Sequence, residues 1–426
     1  MSSSPAKRKL EVLTHFDESA AHEHLAAADG HLIWTRSRAR KVEEEAKANG
    51  SCGMTPDLKL MSLAAQARGR EDETVGRSLG RDFEEHQEDK SPPLRVYAVT
   101  WNLAGKLPPA SIGGITPSED TDIFAMATQE CMVNCGTLQS FLRPSKAKWE
   151  RRVKAILGPD FRKVASYTLN AMHLVVYARK EIFKQVVQVK IHHVATGFLG
   201  LVGNKGGIAV KFSLGDRSLC FINSHLSAHQ SQVEERNEDW RKIERGLTKQ
   251  MMPRRRGGAS SIRLGQAAAA LVPSWRSRRI VDDSLEQGLE DMREEELADF
   301  TIWMGDLNYR IDLARTEVEA AIAERNLAQL EHKDQLRQAQ RSGRVAQGFE
   351  EGPLEFPPTY KFDPQSDIYD SSKKARIPAW TDRILFRAKK REELQLLRYS
   401  SCSQVKSSDH RPVAALFLAS GFRSLR

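Results

Sequence analysis

Cysteine is scarce in this sequence: 5 in 426 residues, an odd number. Cys52, Cys131, Cys135, Cys220 and Cys402 have neither the paired spacing of a disulfide framework nor that of a zinc site. No second Cys or His pair stands near Cys131 and Cys135, which leaves them as reduced packing residues. Long hydrophobic runs are missing too. The longest, residues 413–419, falls far short of the ~20 residues that span a bilayer, so no transmembrane helix is expected. Lys7, Arg8 and Lys9 are basic, but His15, Asp17 and Glu18 stand where a signal peptide needs a continuous apolar stretch, and the final Leu-Arg offers no prenylation cysteine. A cytoplasmic protein is therefore expected. Neither sign of charge dominates: 65 Lys plus Arg against 56 Asp plus Glu leave a formal +9. With 40% hydrophobic and 28% charged residues the composition is that of a globular chain, which excludes disorder throughout. The length allows two or three ordinary domains, or one large α/β domain with appendages.

Strand signal is scant up to about residue 90, where 14 basic and 17 acidic residues surround helical runs at 36–47 and 57–67. Apolar residues are too sparse there for a large core, so residues 1–90 read as an accessory helical or partly disordered region whose partners the sequence does not name. Pro92 and Pro93 break the pattern, because proline lacks the N–H donor and resists helix. From 91 to 420 the texture is different. Short apolar runs at 94–100, 123–128, 173–178, 186–194, 207–212, 219–224, 300–304 and 413–417 alternate with helical patterns at 230–246 and 315–330. Near-continuous apolar strings suit strands covered on both faces, so one layered α/β domain is predicted. A basic insertion at 249–280 interrupts it, with eight Lys or Arg and no acid. It is either a solvated loop or a contact for an acidic membrane surface or polyanion.

Polar residues at the ends of apolar strands carry the chemistry. Asn102 and Glu130 each close a strand at the C-terminal edge, where open α/β sheets place ligands, although such a residue taken alone is more often a cap or turn former than a ligand. In Gly305-Asp306-Leu307-Asn308-Tyr309-Arg310, strand alternation puts Asp306 and Asn308 on one side of an extended segment, while an Asx turn would account for Asp306 alone. His225 leaves the strand 219–222; Asp409 and His410 precede the terminal strand; Asp382, in Trp380-Thr381-Asp382-Arg383, is an acid able to orient the His410 ring. A glycine-rich loop at 197–207 permits close backbone approach to a ligand but lacks Walker A spacing. Together Asn102, Glu130, His225, Asp306, Asn308, Asp382, Asp409 and His410 form an oxygen-rich set without thiolate, which favours Mg²⁺ over zinc. The implied reaction is metal-assisted phosphoryl transfer to water. Mg²⁺ would neutralise the phosphate, Asp306 would orient or deprotonate the water, and Asn308, His225 and His410 would stabilise charge on the phosphoryl oxygens.

Over residues 94–418 the motifs Val99-Thr100-Trp101-Asn102, Gln129-Glu130, Gly203-Asn204-Lys205-Gly206-Gly207, Asn223-Ser224-His225-Leu226, Gly305-Asp306-Leu307-Asn308-Tyr309-Arg310, Phe356-Pro357-Pro358-Thr359-Tyr360-Lys361, Pro378-Ala379-Trp380-Thr381-Asp382-Arg383-Ile384 and Ser408-Asp409-His410-Arg411-Pro412 follow one another. In order and spacing they closely resemble the inositol polyphosphate 5-phosphatase family of the endonuclease/exonuclease/phosphatase superfamily. The resemblance implies a DNase I-like four-layer α/β sandwich, two packed mixed β-sheets flanked by helices, with the site at one end. It implies Glu130 as the principal Mg²⁺ carboxylate, supported by Asn102, with Asp306 activating water, Asn308 beside it on the phosphate, and His410 paired with Asp382. His225 would touch the scissile phosphate, and Asp409 falls next to the catalytic histidine. Substrate contacts carried over are Asn204 and Lys205, and, around the 4-phosphate of the inositol ring, Tyr360, Lys361, Lys374 and Arg376. A phosphate of nearly two negative charges needs several such donors. Thr381 stands where many members have Cys, and 131–135 departs from the usual pattern; neither is expected to touch a catalytic role.

The expected activity is Mg²⁺-dependent hydrolysis of the 5-phosphate of phosphatidylinositol 4,5-bisphosphate and related inositol polyphosphates. The expected place of work is the cytosolic membrane face, as a peripheral protein, with phosphoinositide membranes or soluble inositol polyphosphates as partners and no nucleic acid. Two rivals are a phosphodiesterase of the same superfamily, holding a nucleic-acid backbone with the basic insertion, and a non-catalytic phosphoinositide-binding scaffold.

Overall fold

Residues 91–106, 113–131, 146–197, 205–251, 298–423 and 425 are described by the computed structural model. The expectations for residues 1–90, for Asn204 and for 252–280 of the basic insertion lie outside the described residues. In chain order the first strands are β1 (Leu94–Asn102), β2 (Ile123–Gln129), β3 (Phe161–Leu169), β4 (Met172–Arg179), β5 (Val186–Ala195) and β6 (Gly206–Leu214). They are followed by β7 (Arg217–His225), β8 (Phe300–Asp306), β9 (Glu350–Glu351), β10 (Asp382–Ala388), β11 (Leu394–Ser401) and β12 (Val413–Ala419). These make two six-stranded sheets, ordered β11-β12-β1-β2-β4-β3 and β5-β6-β7-β8-β10-β9. The pairs β1–β2 and β7–β8 are parallel. Their antiparallel neighbours make both sheets mixed.

Period-two alternation explains the layering. On β1, Val96 and Ala98 point into a core shared with Val210, Phe221, Ile302 and Ile384 of the second sheet. Tyr97, Val99 and Trp101 point the other way, onto Trp149 and Val153 of α1 (Ala147–Leu157). On the far side of the second sheet, Ile222, Trp303 and Leu385 are covered by Trp240, Ile243 and Leu247 of α3 (Val233–Met251), which share one helical stripe. Between them α2 (Lys180–Phe183) is a single turn. The sandwich therefore runs helix, sheet, sheet, helix, and strands buried on both faces need the near-continuous apolar sequence they have. Each large apolar side chain removed from water contributes ~1.5–3 kcal/mol, so covering both faces of each sheet is the main stabilising term.

Two expectations change. The helical pattern at 315–330 is two helices, α4 (Arg315–Ala323) and α5 (Leu327–His332), followed by α6 (Gln335–Arg341). Arg325 between them takes φ 57°, a left-handed conformation that no continuous helix contains. Strands β3, β9, β10 and β11 and helices α1, α2 and α6 were not expected. Among the described residues no helix is long and apolar enough to cross a membrane.

The topology gathers polar strand ends at one rim. β1 and β2 finish in register at Asn102 and Gln129, and β7 and β8 at His225 and Asp306. β10 begins there, with Asp382 opposite Asp306, and His410 lies just before β12.

Candidate active site

Gly305 lets the two central strands of the second sheet close at the rim. A Cβ at this residue, with φ 157°, would lie 1.9 Å from the Ser224 carbonyl oxygen. The close approach sets Asp306 Oδ2 3.3 Å from His225 Nε2. Just beyond the strand ends, Glu130 and Asn308 take φ 47° and 57°, left-handed conformations that non-glycine residues adopt at a cost of about 1 kcal/mol or more. Asp306 and Asn308 do not share one side of an extended segment, as alternation suggested. The strand ends at Asp306, and Asn308 N donates to Asp306 Oδ1 at 3.1 Å, an Asx turn that folds the chain back. Arg310 then fixes the Asn308 amide: its Nη2 donates to Asn308 Oδ1 at 2.6 Å and its Nε to the Asn308 carbonyl at 3.0 Å. With its oxygen claimed, the amide turns its NH₂ the other way, donating to the Leu226 carbonyl at 3.1 Å with one N–H to spare.

Two carboxylates meet around one amide. Asn102 Nδ2 donates to Asp306 Oδ2 at 2.8 Å and to Glu130 Oε1 at 3.3 Å, while its oxygen accepts from Ala104 N at 2.9 Å. Asp306 is buried, whereas the Glu130 side chain is 39% exposed and forms the open side of the cluster. His225 Nε2 lies 4.0 Å from Glu130 Oε1 and 2.5 Å from Lys205 Nζ. Burial and the Lys205 ammonium push the His225 imidazole below its ordinary range, against the pull of Asp306. Burial also lowers Lys205, to about 8, against Asp306 and Glu130. For Asp306, burial works upward but is outweighed by the hydrogen bond and charge of His225 and the charges of His410 and Lys205. It stays ionised, far below the usual carboxylate range.

The other half of the site is a histidine–aspartate pair. His410 Nδ1 is 2.9 Å from Asp382 Oδ2, which also accepts from Thr359 Oγ1 at 2.8 Å and Thr381 Oγ1 at 3.0 Å. Thr381, expected to touch no catalytic group, thus holds the acid of this pair. Burial works to lower the His410 imidazole, but Asp382, then Asp306 and Asp409, raise it to about 10. Burial pushes the Asp382 carboxyl up, with the His410 charge opposing. Asp409 Oδ1 is 4.0 Å from His410 Nε2. Ser408 Oγ accepts from His410 N at 3.1 Å and donates to the Asn102 carbonyl at 2.7 Å, stitching this loop to β1.

Asp306, Asp382 and His410 place one ligand atom each within 4.8 Å of one another, so by proximity they could hold a metal ion. Chemistry redistributes that set. An imidazolium whose Nδ1 is bound to Asp382 repels a cation, and the hard oxygens left to receive one are those of Asp306 and Glu130. Two carboxylates brought together around Asn102 repel each other, which a divalent cation between them would relieve. The donor set fits a hard cation.

The expected substrate residues divide. The backbone of Tyr360 pairs with Ala379, and its ring lies 4.6 Å from the His410 ring in a tilted contact and 4.6 Å from the Arg310 guanidinium. Lys361 Nζ is 3.7 Å from Asp409 Oδ2. Asp370 N donates to the Lys361 carbonyl at 2.9 Å, and Asp370 Oδ2 accepts from Arg376 N at 2.9 Å, so residues 360–376 form one module beside His410. Lys374 is exposed on it and makes no ion pair among the described residues. Lys205 belongs instead with the carboxylate cluster. Four contributors were missed. Arg310 stood in the Asp306 motif, two positions from Asn308, and Thr359 adjoined Tyr360, so spacing carried a signal for both. Gln129 and Asn223 stood in the Glu130 and His225 motifs as well: Gln129 Nε2 donates to Asn223 Oδ1 at 2.8 Å, and Asn223 Nδ2 donates to the His173 carbonyl at 2.9 Å, clamping the two sheets beneath the site.

Residues 99–416 match the endonuclease/exonuclease/phosphatase family 2 pattern. Similar curated proteins include the type II inositol 1,4,5-trisphosphate 5-phosphatase of Mus musculus, 29% identical over 392 residues that cover 90% of this chain and 35% of that protein. Another is the phosphatidylinositol 4,5-bisphosphate 5-phosphatase INP51 of Saccharomyces cerevisiae, 32% identical, covering 76% of this chain and 31% of that protein. The chain thus spans about a third of the length of these relatives. Among solved structures, the inositol polyphosphate 5-phosphatase domain of SPsynaptojanin, in complex with inositol (1,4)-bisphosphate and calcium ion, superposes with a TM-score of 0.60 at 29% identity. The match covers 84% of this chain and 90% of that domain.

Proposed function

The chain belongs to the inositol polyphosphate 5-phosphatases of the endonuclease/exonuclease/phosphatase family 2, and from that membership we propose that it is a Mg²⁺-dependent phosphatase removing the 5-phosphate of phosphatidylinositol 4,5-bisphosphate and related inositol polyphosphates. One observation carries the reading: Asp306, His225 and Asn102 come within hydrogen-bonding reach at one rim, with the Asp382–His410 pair within 4.8 Å of Asp306 and the Tyr360–Lys361 module alongside. Mg²⁺ held by Glu130 and Asp306 would supply charge neutralisation on the scissile phosphate. Asp306, ionised throughout the working range, accepts a hydrogen bond from the attacking water and orients it in line. A carboxylate so far below its usual range is a weak base, so orientation is its larger contribution. The His410 imidazolium donates from Nε2 to a phosphoryl oxygen while Nδ1 stays on Asp382, and the spare Asn308 N–H donates to another. The water oxygen bonds phosphorus as the bond to the ring 5-oxygen breaks; one water proton remains on the inorganic phosphate formed and the other ends on the ring oxygen, which leaves as a hydroxyl.

Tyr360, Lys361 and Arg376 would grip a neighbouring 4-phosphate, Arg376 in bidentate fashion. The place of action proposed is an anionic cytosolic membrane face. Phosphate release from a panel of inositides, matched with and without the 4-phosphate, tests the reading. Faster turnover of the 4-phosphorylated members is expected; equal rates on both, or cleavage of DNA in preference to any inositide, would contradict it.

A further inference from the structure

We propose that the loop 361–376 docks on an anionic lipid bilayer with Ile368 as its apolar contact, so that the site works on lipid at a surface; this rests on the phosphatase reading above. Ile368 is 64% exposed, the most of any large hydrophobic side chain among the described residues. A lone exposed isoleucine on a flexible loop would mean nothing. This one is held out by a rigid frame. Asp363 N donates to the Ile368 carbonyl at 2.8 Å, Ser366 Oγ accepts from Ile368 N at 3.0 Å, and the Phe362 and Tyr369 rings stack at 4.4 Å beneath the tip. Tyr369 is anchored in turn through its hydroxyl, which donates to the Pro358 carbonyl at 2.8 Å, and the Arg411 guanidinium lies 3.8 Å over the Phe362 ring. With both backbone groups of Ile368 engaged, the side chain does not fold back against the protein.

Charge around the tip points the same way. The acids of the loop are engaged: Asp363 accepts from Ser371 N at 3.1 Å, Asp370 from Ser372 N and Arg376 N, and Asp367, 63% exposed beside the tip, is paired with Lys406 and Arg411 from outside the loop. Lys373 and Lys374 are exposed and make no ion pair among the described residues. An apolar tip flanked by unclaimed ammonium groups matches a bilayer surface, with the isoleucine below the headgroups and the lysines level with lipid phosphates. The same loop carries Lys361, hydrogen-bonded through its carbonyl to Asp370 N, so docking the tip presents the site to lipid headgroups.

The test uses the full chain with Ile368→Asp and Ile368→Trp. Turnover is measured on phosphatidylinositol 4,5-bisphosphate in phosphatidylcholine/phosphatidylserine vesicles and on soluble inositol 1,4,5-trisphosphate. Co-sedimentation is measured with phosphatidylcholine/phosphatidylserine vesicles that hold no phosphoinositide. Expected for Ile368→Asp is a loss of about tenfold in vesicle turnover and in pelleting, with the soluble rate unchanged. Ile368→Trp should keep vesicle turnover and add a blue-shifted emission on vesicles. Vesicle turnover and pelleting unchanged by Ile368→Asp, or equal losses on vesicle and soluble substrate, would overturn the proposal. Should the wild type hydrolyse neither substrate, the phosphatase reading fails and the pelleting arm alone decides whether Ile368 contacts lipid.

Discussion

Replacing Asp382 with Asn removes a charge while keeping the oxygen to which Thr359 and Thr381 donate. The His410 imidazole, raised to about 10 chiefly by Asp382, then faces burial with only Asp306 and Asp409 in opposition, and falls toward or below its ordinary 6.5. At pH 7.5 roughly a tenth of an imidazole population with that ordinary value is charged, so kcat should drop about tenfold or more if His410 donates as a cation. The signature is recovery in acid. Between pH 7.5 and 5.5 the ratio of variant to wild-type rate should climb back toward one, since the titrations of Lys205 and His225 are common to both proteins and cancel, and Asp306 lies far below that window. Phosphate release at saturating substrate over pH 5.5–9 reads this directly. A variant profile parallel to wild type, or no loss at pH 7.5, would refute the assignment of His410 as a charged donor. Stability follows the same linkage. A folded value raised from 6.5 to about 10 contributes fully below 6.5 and is lost as pH rises through 10. The upper limit is ~5 kcal/mol, and the gap between wild type and D382N in denaturant unfolding should narrow over that interval.

Asp306→Asn should lower kcat by ~10²–10³ with little change in KM, seen in phosphate release, because it removes the water-orienting charge and keeps the shape. Arg310→Met frees the Asn308 amide to rotate and unstacks Tyr360, so kcat should fall ~10- to 100-fold. Combined with Asn308→Ala the loss should be less than the product of the two, and full additivity in the double-mutant cycle would show that Arg310 does not act through Asn308. Lys361→Ala should reduce the preference for 4-phosphorylated over 4-unphosphorylated inositides by about tenfold, leaving the rate on the latter unchanged in a paired substrate assay.

Strands buried on both faces announced themselves in the sequence. β1, β2, β7, β8 and β12 are near-continuous apolar runs because one face meets the other sheet and the opposite face meets a helix. β3 and β11 lie at sheet edges, where few side chains are fully buried, and FRKVASYTL and LQLLRYSS carry no such run. β10 hides for a different reason. It begins at Asp382 and Arg383, and the Arg383 guanidinium is buried against Asp334 at 2.9 Å and Glu351 at 2.6 Å, an ion network whose members lie far apart in the chain. The site was legible as a set of strand-end residues, since chemistry at a rim needs polar groups where apolar runs stop. Its couplings were not. That Asn102 bridges Asp306 and Glu130, that Lys205 leans on His225, and that Arg310 orients Asn308 depend on which sheet faces which, information no local spacing holds.

Incubating phosphatidylinositol 4,5-bisphosphate with the full chain and identifying the ring position of the phosphate lost tests the central claim most directly. The account predicts phosphatidylinositol 4-phosphate and inorganic phosphate, formed with Mg²⁺, stopped by chelator and all but abolished in Asp306→Asn. No phosphate release with any divalent cation, or release at the wild-type rate by Asp306→Asn, would contradict it.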